Sequence, residues 1–308
     1  MEVFMNFINA MFGSILSLDP VSAVKMVVMW AIGGTLIYLA IKKDMEPSLL
    51  LPMGFGAILV NLPLSGAIDQ MHELGIEVGA LSELFRAGIS NELFPLLLFI
   101  GIGAMIDFGP LLANPKLFLF GAAAQVGIFL TIIAAALLGF DIIDAASIGI
   151  IGAADGPTSI LVSQVLGSRY VGAIAVAAYS YMALVPIIQP FAIKLVTTKR
   201  ERAMKMPYAA GQVSRRTRIL FPIVVSIVAG LVAPASVSLV GFLMFGNLIR
   251  ECGVLESLSK TAQHELANLI TLLLGITISF SMRAAQFVTK ETLLILCLGL
   301  IAFVLDSI

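Results

Sequence analysis

Long apolar runs alternate along this chain with short charged segments. A helix needs about 20 apolar residues to cross a bilayer, so each run of roughly that length predicts a membrane span or part of one. The uncharged or nearly uncharged runs are residues 26–41, 47–68, 93–106, 117–140, 145–168, 171–193, 219–249, 266–282 and 292–305. The pattern predicts an all-α, polytopic membrane protein.

Prolines and glycines interrupt several of these runs, which favours discontinuous helices. Pro52 lies within the second run, and Pro234 divides residues 219–249 into a span and a re-entrant piece. Residues 69–92 are polar and acidic and predict an exposed segment on the membrane surface. Residues 2–17 are apolar and predict a segment that lies in the membrane interface.

The composition agrees with a lipid environment. Hydrophobic residues make up 59% of the chain and charged residues 12%, which is about half the charged fraction of an average soluble protein. The formal net charge of −1 gives no indication of a nucleic-acid partner. Two cysteines and two distant histidines do not favour a disulfide or a zinc site.

Basic residues indicate the side of the membrane that one loop occupies. Residues 199–218 contain seven lysines and arginines against the single acid Glu201, so this loop is predicted to face the cytoplasm. Lys42 and Lys43 favour the same side for residues 42–46, although two acids follow them. Five apolar runs lie between the two loops, and this odd number favours an outside position for residues 42–46.

A shift of 174 residues relates two parts of the chain to each other. The paired residues of identical type are Gly56 and Gly230, Gly101 and Gly275, and Lys116 and Lys290. An odd number of crossings in each unit inverts the second unit, and inverted repeats around broken helices are typical of ion-coupled transporters. The position 174 residues after Asp155 lies beyond Ile308, so the second repeat is expected to be truncated, either as a naturally shortened unit or as a fragment.

These patterns divide the chain into four parts. The predicted parts are residues 1–46 with the N-terminal segment and first transmembrane helix, residues 47–198 as the first repeat, residues 199–218 as the basic cytoplasmic loop, and residues 219–308 as a partial second repeat.

The densest group of candidate functional residues lies inside the run 145–168, where Asp155 is the only charge. A carboxylate at the bilayer centre costs about 3 kcal/mol on insertion scales, so it needs a cavity, a cation or a polar partner. Gly156 and Pro157 interrupt helical hydrogen bonding, which frees carbonyl groups before the break and begins a new helix after it. Asp155 then lies at the N-terminus of that helix, where its charge is favourable.

The predicted site is a cage of hard oxygen atoms around this carboxylate. Besides Asp155, its candidate ligands are the backbone of Gly152, Ala153 and Ala154 and the hydroxyls of Thr158 and Ser159. Hard oxygen ligands suit a small cation such as Na⁺. The alternative is that Asp155 caps an extracellular turn between two helices. Residues 145–154 are too few to span a bilayer, which favours a break within the membrane.

Other polar residues inside the apolar runs are less specific. Tyr179 and Tyr181 share one predicted span, where anchoring at the membrane interface and a role in a site both stay open. Asn61, Gln125, Asn247 and Asn268 predict interhelical hydrogen bonds rather than ion ligation. Asp107 lies at the end of a span and predicts ordinary solvation of a helix end.

Four motifs resemble those of a known family. Residues 152–160 read Gly-Ala-Ala-Asp-Gly-Pro-Thr-Ser-Ile, residues 51–61 read Leu-Pro-Met-Gly-Phe-Gly-Ala-Ile-Leu-Val-Asn, residues 179–186 read Tyr-Ser-Tyr-Met-Ala-Leu-Val-Pro, and residues 246–248 read Gly-Asn-Leu. With these motifs the chain resembles the β subunits of the sodium-pumping biotin-dependent decarboxylases, which act on oxaloacetate, methylmalonyl-CoA and glutaconyl-CoA.

The resemblance implies a function in a multi-subunit membrane complex. Such β subunits decarboxylate carboxybiotin, carried on a partner subunit, and couple the reaction to Na⁺ export with consumption of a proton. The expected partners are a carboxyltransferase subunit, a biotin carrier subunit and a small membrane anchor subunit. A homo-oligomer in the bacterial cytoplasmic (inner) membrane is also expected.

The resemblance also implies roles for individual residues. The family aspartate that matches Asp155 binds Na⁺, and the family tyrosine that matches Tyr181 belongs to the coupled catalytic site. The family's second half continues with an Asn-Pro-Leu-Ile-Gly type segment that this sequence does not contain, which agrees with a truncated second repeat.

Two other functions remain open at this point. A stand-alone sodium-coupled secondary transporter would show the same signals of broken helices and an ionisable residue within the membrane. A non-catalytic membrane scaffold would not need the Asp155 carboxylate.

Overall fold

The computed structural model describes residues 19–72, 75–153, 155–204 and 213–308. The predicted interfacial segment at residues 2–17 lies outside the described residues. The helices of the first part of the chain are α1 (Pro20–Lys43), α2 (Pro47–Val60), α3 (Ala80–Leu84), α4 (Leu93–Met105), α5 (Gly109–Ala113), α6 (Phe118–Leu137), α7 (Ile142–Gly149), α8 (Gly156–Val165), α9 (Val171–Val196) and α10 (Lys199–Arg202).

The second part continues in the same helical style. Its helices are α11 (Arg215–Val232), α12 (Val237–Cys252), α13 (Glu256–Thr261), α14 (Ala267–Ile278), α15 (Ala284–Phe287) and α16 (Lys290–Ser307). One π-helical turn, Phe85–Ile89, follows α3, and another, Ala262–Leu266, follows α13. The prediction of an essentially helical membrane protein is confirmed.

Four helical segments among the described residues are long and apolar enough to cross a membrane. They are Pro20–Lys43, Pro115–Leu137, Pro234–Cys252 and Glu256–Ser281. The number rises to five when Ala80–Ile89 and Leu93–Met105, which meet at an angle of 59°, are taken as one bent span. The apolar helices Pro47–Val60 and Ile142–Ala153 are shorter than a span, so part of the predicted runs forms short or discontinuous helices.

A short β-hairpin is the exception to the predicted all-α fold. Strands β1 (Gln70–His72) and β2 (Gly75–Glu77) pair antiparallel within the polar segment 69–92. Asp69 fixes the base of this hairpin, because its carboxylate accepts the Gly79 N–H at 3.0 Å and pairs with Arg86. The Gly79 N–H is also the main cause that lowers the pKa of Asp69.

Helix ends follow local sequence signals. The Asp19 carboxylate accepts the Ser22 N–H at 3.2 Å, and the Thr289 hydroxyl accepts the Thr292 N–H at the same distance. Aspartate and threonine are favoured N-cap residues because they satisfy N–H groups that have no partner inside the helix. Gly253 ends α12 with a φ of 70°, the left-handed conformation that glycine adopts without strain.

Small residues allow the helices to pack closely. A Cβ atom added to Gly103 of α4 would lie 1.8 Å from the Leu243 carbonyl oxygen of α12, and one added to Gly33 of α1 would lie 2.7 Å from the Gly54 oxygen of α2. Close backbone contact at small residues is characteristic of helix pairs in membranes. Large apolar side chains on the outward side of α6, such as Phe120 and Phe129, are more than half exposed, as expected for a lipid-facing surface.

Two buried asparagines form hydrogen bonds with backbone groups at the breaks after α14 and α4. Asn61, at the end of α2, donates its Nδ2 to the Met282 carbonyl at 2.9 Å and accepts the Ala284 N–H at 2.6 Å. Asn247, in α12, donates its Nδ2 to the Ile106 carbonyl at 3.0 Å. Each asparagine therefore satisfies backbone groups that a helix break leaves unpaired. The prediction of interhelical hydrogen bonding is confirmed for these two residues. It is wrong for Gln125, which donates to the Gly121 carbonyl of its own helix, and Asn268 is exposed.

Candidate functional site

The chain changes direction at Asp155, where the sequence predicts a helix break. Helix α7 is followed by a 3₁₀ turn, Ile150–Ala153, and α8 begins at Gly156. Pro157 occupies one of the first positions of α8, where its missing N–H leaves no hydrogen bond unmade. The local sequence therefore ends one helix and begins the next within a few residues.

A buried carboxylate shows that α7 and α8 form a hairpin rather than a straight span. Asp144, near the start of α7, is 2% exposed and accepts the Ser168 hydroxyl at 2.8 Å. It also accepts the Arg169 backbone N–H at 3.2 Å and pairs with the Arg169 Nη2 at 3.0 Å. Residues 144 and 168 are thus in contact, so the chain runs inward, reverses at Asp155 and returns. The hydrogen bonds to Asp144 raise the pKa of the Arg169 guanidinium.

The Asp155 side chain is fixed by its own helix. Its Oδ1 accepts the Thr158 N–H at 3.2 Å, and its Oδ2 accepts the Thr158 hydroxyl at 2.6 Å. The residue is half-buried, whereas Gly156 and Pro157 beside it are buried. Asp155 is therefore an N-cap, and both of its donors are neutral groups. Within the part of the chain that the structure describes, no ion pair joins Asp155 to a lysine or arginine.

The other predicted ligands occupy different environments. The Ser159 hydroxyl donates to the Asp155 carbonyl at 2.7 Å, and the Ser159 N–H donates to the same oxygen at 2.9 Å. Gly152 is buried against α6, where an added Cβ would lie 3.0 Å from the Thr131 hydroxyl oxygen. Ala153 is half-buried in the 3₁₀ turn. Ala154 lies outside the described residues.

The structure therefore brings one predicted hydroxyl, that of Thr158, to the carboxylate. Ser159 bonds the backbone of the first turn of α8 instead. The Asp155 carbonyl accepts both bonds from Ser159 because it belongs to that first turn.

The two tyrosines of α9 have separate surroundings. The Tyr181 hydroxyl donates to the Leu296 carbonyl of α16, and its ring lies against Gly299. The Tyr179 ring lies against Gly156, where an added Cβ would be 2.7 Å from ring carbons Cδ1 and Cε1. Two residues along a helix differ by about 200° in direction. The structure therefore places Tyr179 next to the Asp155 break and turns Tyr181 toward α16.

Two acidic residues near this region are not among the residues that the sequence analysis singles out. Asp144 directly precedes the run 145–168, and Arg169 directly follows it. Two opposite charges at the two ends of one apolar run are the sequence signal for the ion pair that the structure shows. Asp306 lies against α6, where a Cβ on Gly127 would be 2.2 Å from its Oδ1. An aspartate at the end of an apolar run gives no signal of such a contact, because the contact depends on the packing of α16 on α6.

Comparisons with known proteins give a consistent family. The model of the family described as "Na+-transporting oxaloacetate decarboxylase beta subunit" matches residues 25–308. The glutaconyl-CoA decarboxylase subunit beta of Acidaminococcus fermentans is 48% identical over 277 residues, which cover 90% of this chain and 72% of the relative. The methylmalonyl-CoA decarboxylase subunit beta of Veillonella parvula is 48% identical, with coverage of 90% and 71%.

A relative with a third substrate in its name is somewhat less similar. The oxaloacetate decarboxylase beta chain 2 of Salmonella typhi is 41% identical over 322 aligned positions, which cover 87% of this chain and 74% of the relative.

Proposed function

The chain belongs to the Na⁺-transporting oxaloacetate decarboxylase β-subunit family, and we propose that it decarboxylates carboxybiotin and couples this reaction to Na⁺ export. It is the membrane subunit of a biotin-dependent decarboxylase. Carboxybiotin arrives on a biotin carrier subunit after a carboxyltransferase subunit has loaded it, and a small membrane anchor subunit completes the complex. The β subunit assembles as a homo-oligomer in the bacterial cytoplasmic membrane.

The single observation that carries this proposal is the half-buried Asp155 carboxylate at the tip of the α7–α8 hairpin. The α-helical residues Ile142–Gly149 and the 3₁₀ residues Ile150–Ala153 together span about 20 Å, roughly two-thirds of the thickness of the hydrocarbon core. The Asp144–Arg169 pair at the other end of the hairpin is partly open to solvent through the arginine. The open end of the hairpin therefore lies at the membrane surface, and its tip places the Asp155 carboxylate in the membrane interior.

Na⁺ fits the chemistry of this carboxylate. Its described partners are the neutral Thr158 N–H and hydroxyl, so its negative charge still favours a cation. Carboxylate, hydroxyl and backbone oxygens are hard ligands, and they suit a small hard cation. Asp155 and Thr158 bind Na⁺, and backbone groups of residues 152–154 complete its surroundings. Ser159 contributes by holding the first turn of α8.

Coupling requires a proton for the biotin nitrogen when the carboxyl group leaves. A cation that binds at Asp155 lowers the affinity of the carboxylate for a proton, because both compete for the same negative charge. Tyr181 lies on α9 and is buried against α16, and it belongs to the path that delivers the proton. Movement of the site between the two membrane sides then couples the reaction to Na⁺ export.

Two inverted repeats provide the framework for this movement. The order of elements from α3 to α6 recurs from α13 to α16: a short helix, a π-helical turn, a long helix, a second short helix and an apolar helix. The long helices begin at Leu93 and Ala267, and these residues differ by the 174 positions of the sequence repeat. This recurrence supports residues 47–198 as a first repeat and residues 219–308 as a partial second one.

Reciprocal packing also supports the repeat. Helix α2 packs on α14, and α12 packs on α4. Asn61 of α2 bonds the break after α14, and Asn247 of α12 bonds the break after α4. Exchange of the two units therefore exchanges equivalent contacts, as a two-fold relation between repeats requires. In this relation Asn61 corresponds to Asn247, which lies 186 rather than 174 residues later. The pairing of Gly101 in α4 with Gly275 in α14 fits the packing, whereas the pairing of Gly56 in α2 with Gly230 in α11 does not. The basic segment 199–218 joins the units on the cytoplasmic side.

Reconstitution tests the proposed function. The complete decarboxylase complex is placed in liposomes, and Na⁺ uptake is measured together with CO₂ release. We expect both to depend on Na⁺ and both to be lost in Asp155→Asn. Decarboxylation that stays coupled to Na⁺ uptake in Asp155→Asn would reject the site. Solute uptake by the β subunit alone, without a biotin carrier, would favour a stand-alone sodium-coupled transporter.

A further inference from the structure

The hydroxyl of Tyr179 is enclosed in the protein and unpaired. The residue is 1% exposed, and its hydroxyl has no hydrogen-bond partner among the residues that the structure describes. Buried hydroxyls in native proteins nearly always have a partner, and each exception calls for a specific explanation. The hydroxyl of Tyr179 therefore calls for a partner beyond the described residues.

The position of the ring shows where this hydroxyl lies. A Cβ atom on Gly156 would be 2.7 Å from the ring carbon Cε1 and 2.8 Å from Cζ, the carbon that carries the hydroxyl. Gly156 directly follows Asp155. Because glycine has no side chain, the phenol end of Tyr179 packs directly onto the backbone of the Asp155 break. The hydroxyl and the carboxylate therefore share one region.

The carboxylate of Asp155 belongs to this break and has no ion-pair partner among the described residues. A buried phenol oxygen beside a carboxylate without an ion-pair partner favours a cation.

Tyr181 provides the contrast. It is also buried, but its hydroxyl is already used in a hydrogen bond to the Leu296 carbonyl of α16. The Tyr181 hydroxyl is therefore directed toward α16, whereas the Tyr179 ring packs at the Asp155 break.

We propose that the Tyr179 hydroxyl oxygen is a ligand of the Na⁺ ion held at Asp155. This inference rests on the proposed function, because it assumes that Asp155 binds Na⁺. The phenol stays neutral, and it offers an oxygen lone pair to the cation without transfer of a proton. Its hard oxygen belongs to the same ligand class as the carboxylate and the Thr158 hydroxyl. The aromatic ring meanwhile closes one wall of the site against water and lipid.

The test compares Na⁺ affinity in Tyr179→Phe and in the control Tyr38→Phe, whose tyrosine is exposed on α1. The purified β subunit in detergent is heated at increasing NaCl concentration, with total ionic strength kept constant by choline chloride. A ligand that binds the folded state raises the melting temperature, so the Na⁺ concentration of the half-maximal shift measures affinity without any decarboxylation. Phenylalanine keeps the ring on Gly156 and removes the oxygen alone.

The expected result is a half-maximal Na⁺ concentration at least about tenfold higher in Tyr179→Phe, as the loss of one ligand to a charge implies. In Tyr38→Phe it should change less than about threefold. An unchanged Na⁺ affinity in Tyr179→Phe, with the Na⁺ response lost in Asp155→Asn, would overturn this inference and leave the Asp155 site intact. A Na⁺ response that persists in Asp155→Asn would overturn the proposed site together with this inference.

Discussion

The Thr158 hydroxyl donates a hydrogen bond to the Asp155 carboxylate, with 2.6 Å between the two oxygen atoms. The Thr158 backbone N–H donates to the other carboxylate oxygen at 3.2 Å. Thr158 therefore fixes both oxygens of the carboxylate and sets the orientation of the group. The orientation follows from the first turn of α8, which begins at Gly156.

Removal of this hydroxyl should weaken Na⁺ binding. Thr158→Val keeps the branched shape and the backbone N–H but deletes the bond to Asp155. A hydrogen bond to a charged group contributes about 1.5–3 kcal/mol. The Na⁺ concentration for half-maximal decarboxylation should therefore rise about tenfold or more.

Thr158→Ser is the matched control for this change, because it restores the hydroxyl. Its half-maximal Na⁺ concentration should lie within about threefold of that of the unchanged protein. If Thr158→Val and Thr158→Ser behave alike, the hydroxyl has no part in Na⁺ binding.

The contact between Gly156 and Tyr179 predicts a sensitive glycine. Gly156→Ala forces a methyl group into the tyrosine ring, which would lie 2.7 Å away. Overpacking of a close contact typically destabilises a protein by about 1–3 kcal/mol. We expect a lower melting temperature in detergent and a weaker Na⁺ dependence of decarboxylation.

Gly34→Ala is the control for this substitution. Gly34 lies in α1 with no neighbouring atom within 4 Å of an added Cβ, so alanine should be neutral or stabilise the helix by about 0.5–1 kcal/mol. Equal melting temperatures for Gly156→Ala and Gly34→Ala would show that the ring does not pack on Gly156.

Asn61 should be important for the stability of the break after α14. Asn61→Ala leaves the Met282 carbonyl and the Ala284 N–H without their partner. A buried polar group that loses its partner costs about 1–3 kcal/mol, so the loss in unfolding free energy should be at least of that size. Thermal or denaturant unfolding of the purified protein measures it.

Asn268→Ala is the control for Asn61→Ala. Asn268 lies on α14 but is exposed, and exposed substitutions usually change stability by less than about 0.5 kcal/mol. A loss for Asn268→Ala as large as that for Asn61→Ala would contradict the role of the buried asparagine.

Asp144 should hold the two ends of the α7–α8 hairpin together. Asp144→Ala removes the acceptor of the Ser168 hydroxyl, the Arg169 N–H and the Arg169 guanidinium. We expect faster hydrogen exchange at residues 166–170, because these residues lose their attachment to α7.

Asp141→Ala serves as the control, since Asp141 is exposed and makes no side-chain capping bond at the start of α7. Exchange at residues 166–170 should be unchanged in this variant. Unchanged exchange in Asp144→Ala as well would show that Asp144 does not fasten the hairpin.

The local features of the site could be predicted from the sequence. Gly156 is unfavourable inside a helix, and Pro157 has no backbone N–H for the helical hydrogen bond. Asp155 is a favoured N-cap residue. The break and the cap are therefore consequences of neighbouring residues, and the structure contains both. The break at Pro234 between α11 and α12 is predictable for the same reason.

Features that depend on contacts between distant segments could not be predicted in this way. The reversal at Asp155 depends on the contact of Asp144 with Ser168 and Arg169. The different surroundings of Tyr179 and Tyr181 depend on which faces of α9 meet α8 and α16. Apolar sequence gives little information about such faces, because lipid-facing and buried positions are both hydrophobic.

The amount of Na⁺ bound per chain decides whether the Asp155 carboxylate holds the cation. Equilibrium dialysis with radioactive Na⁺ gives this amount for the purified β subunit and for Asp155→Asn, which keeps the shape of the cap and removes its charge. The asparagine variant should bind fewer Na⁺ ions per chain at every concentration that saturates the unchanged protein. Equal binding of Na⁺ by the two proteins would contradict this role of the carboxylate.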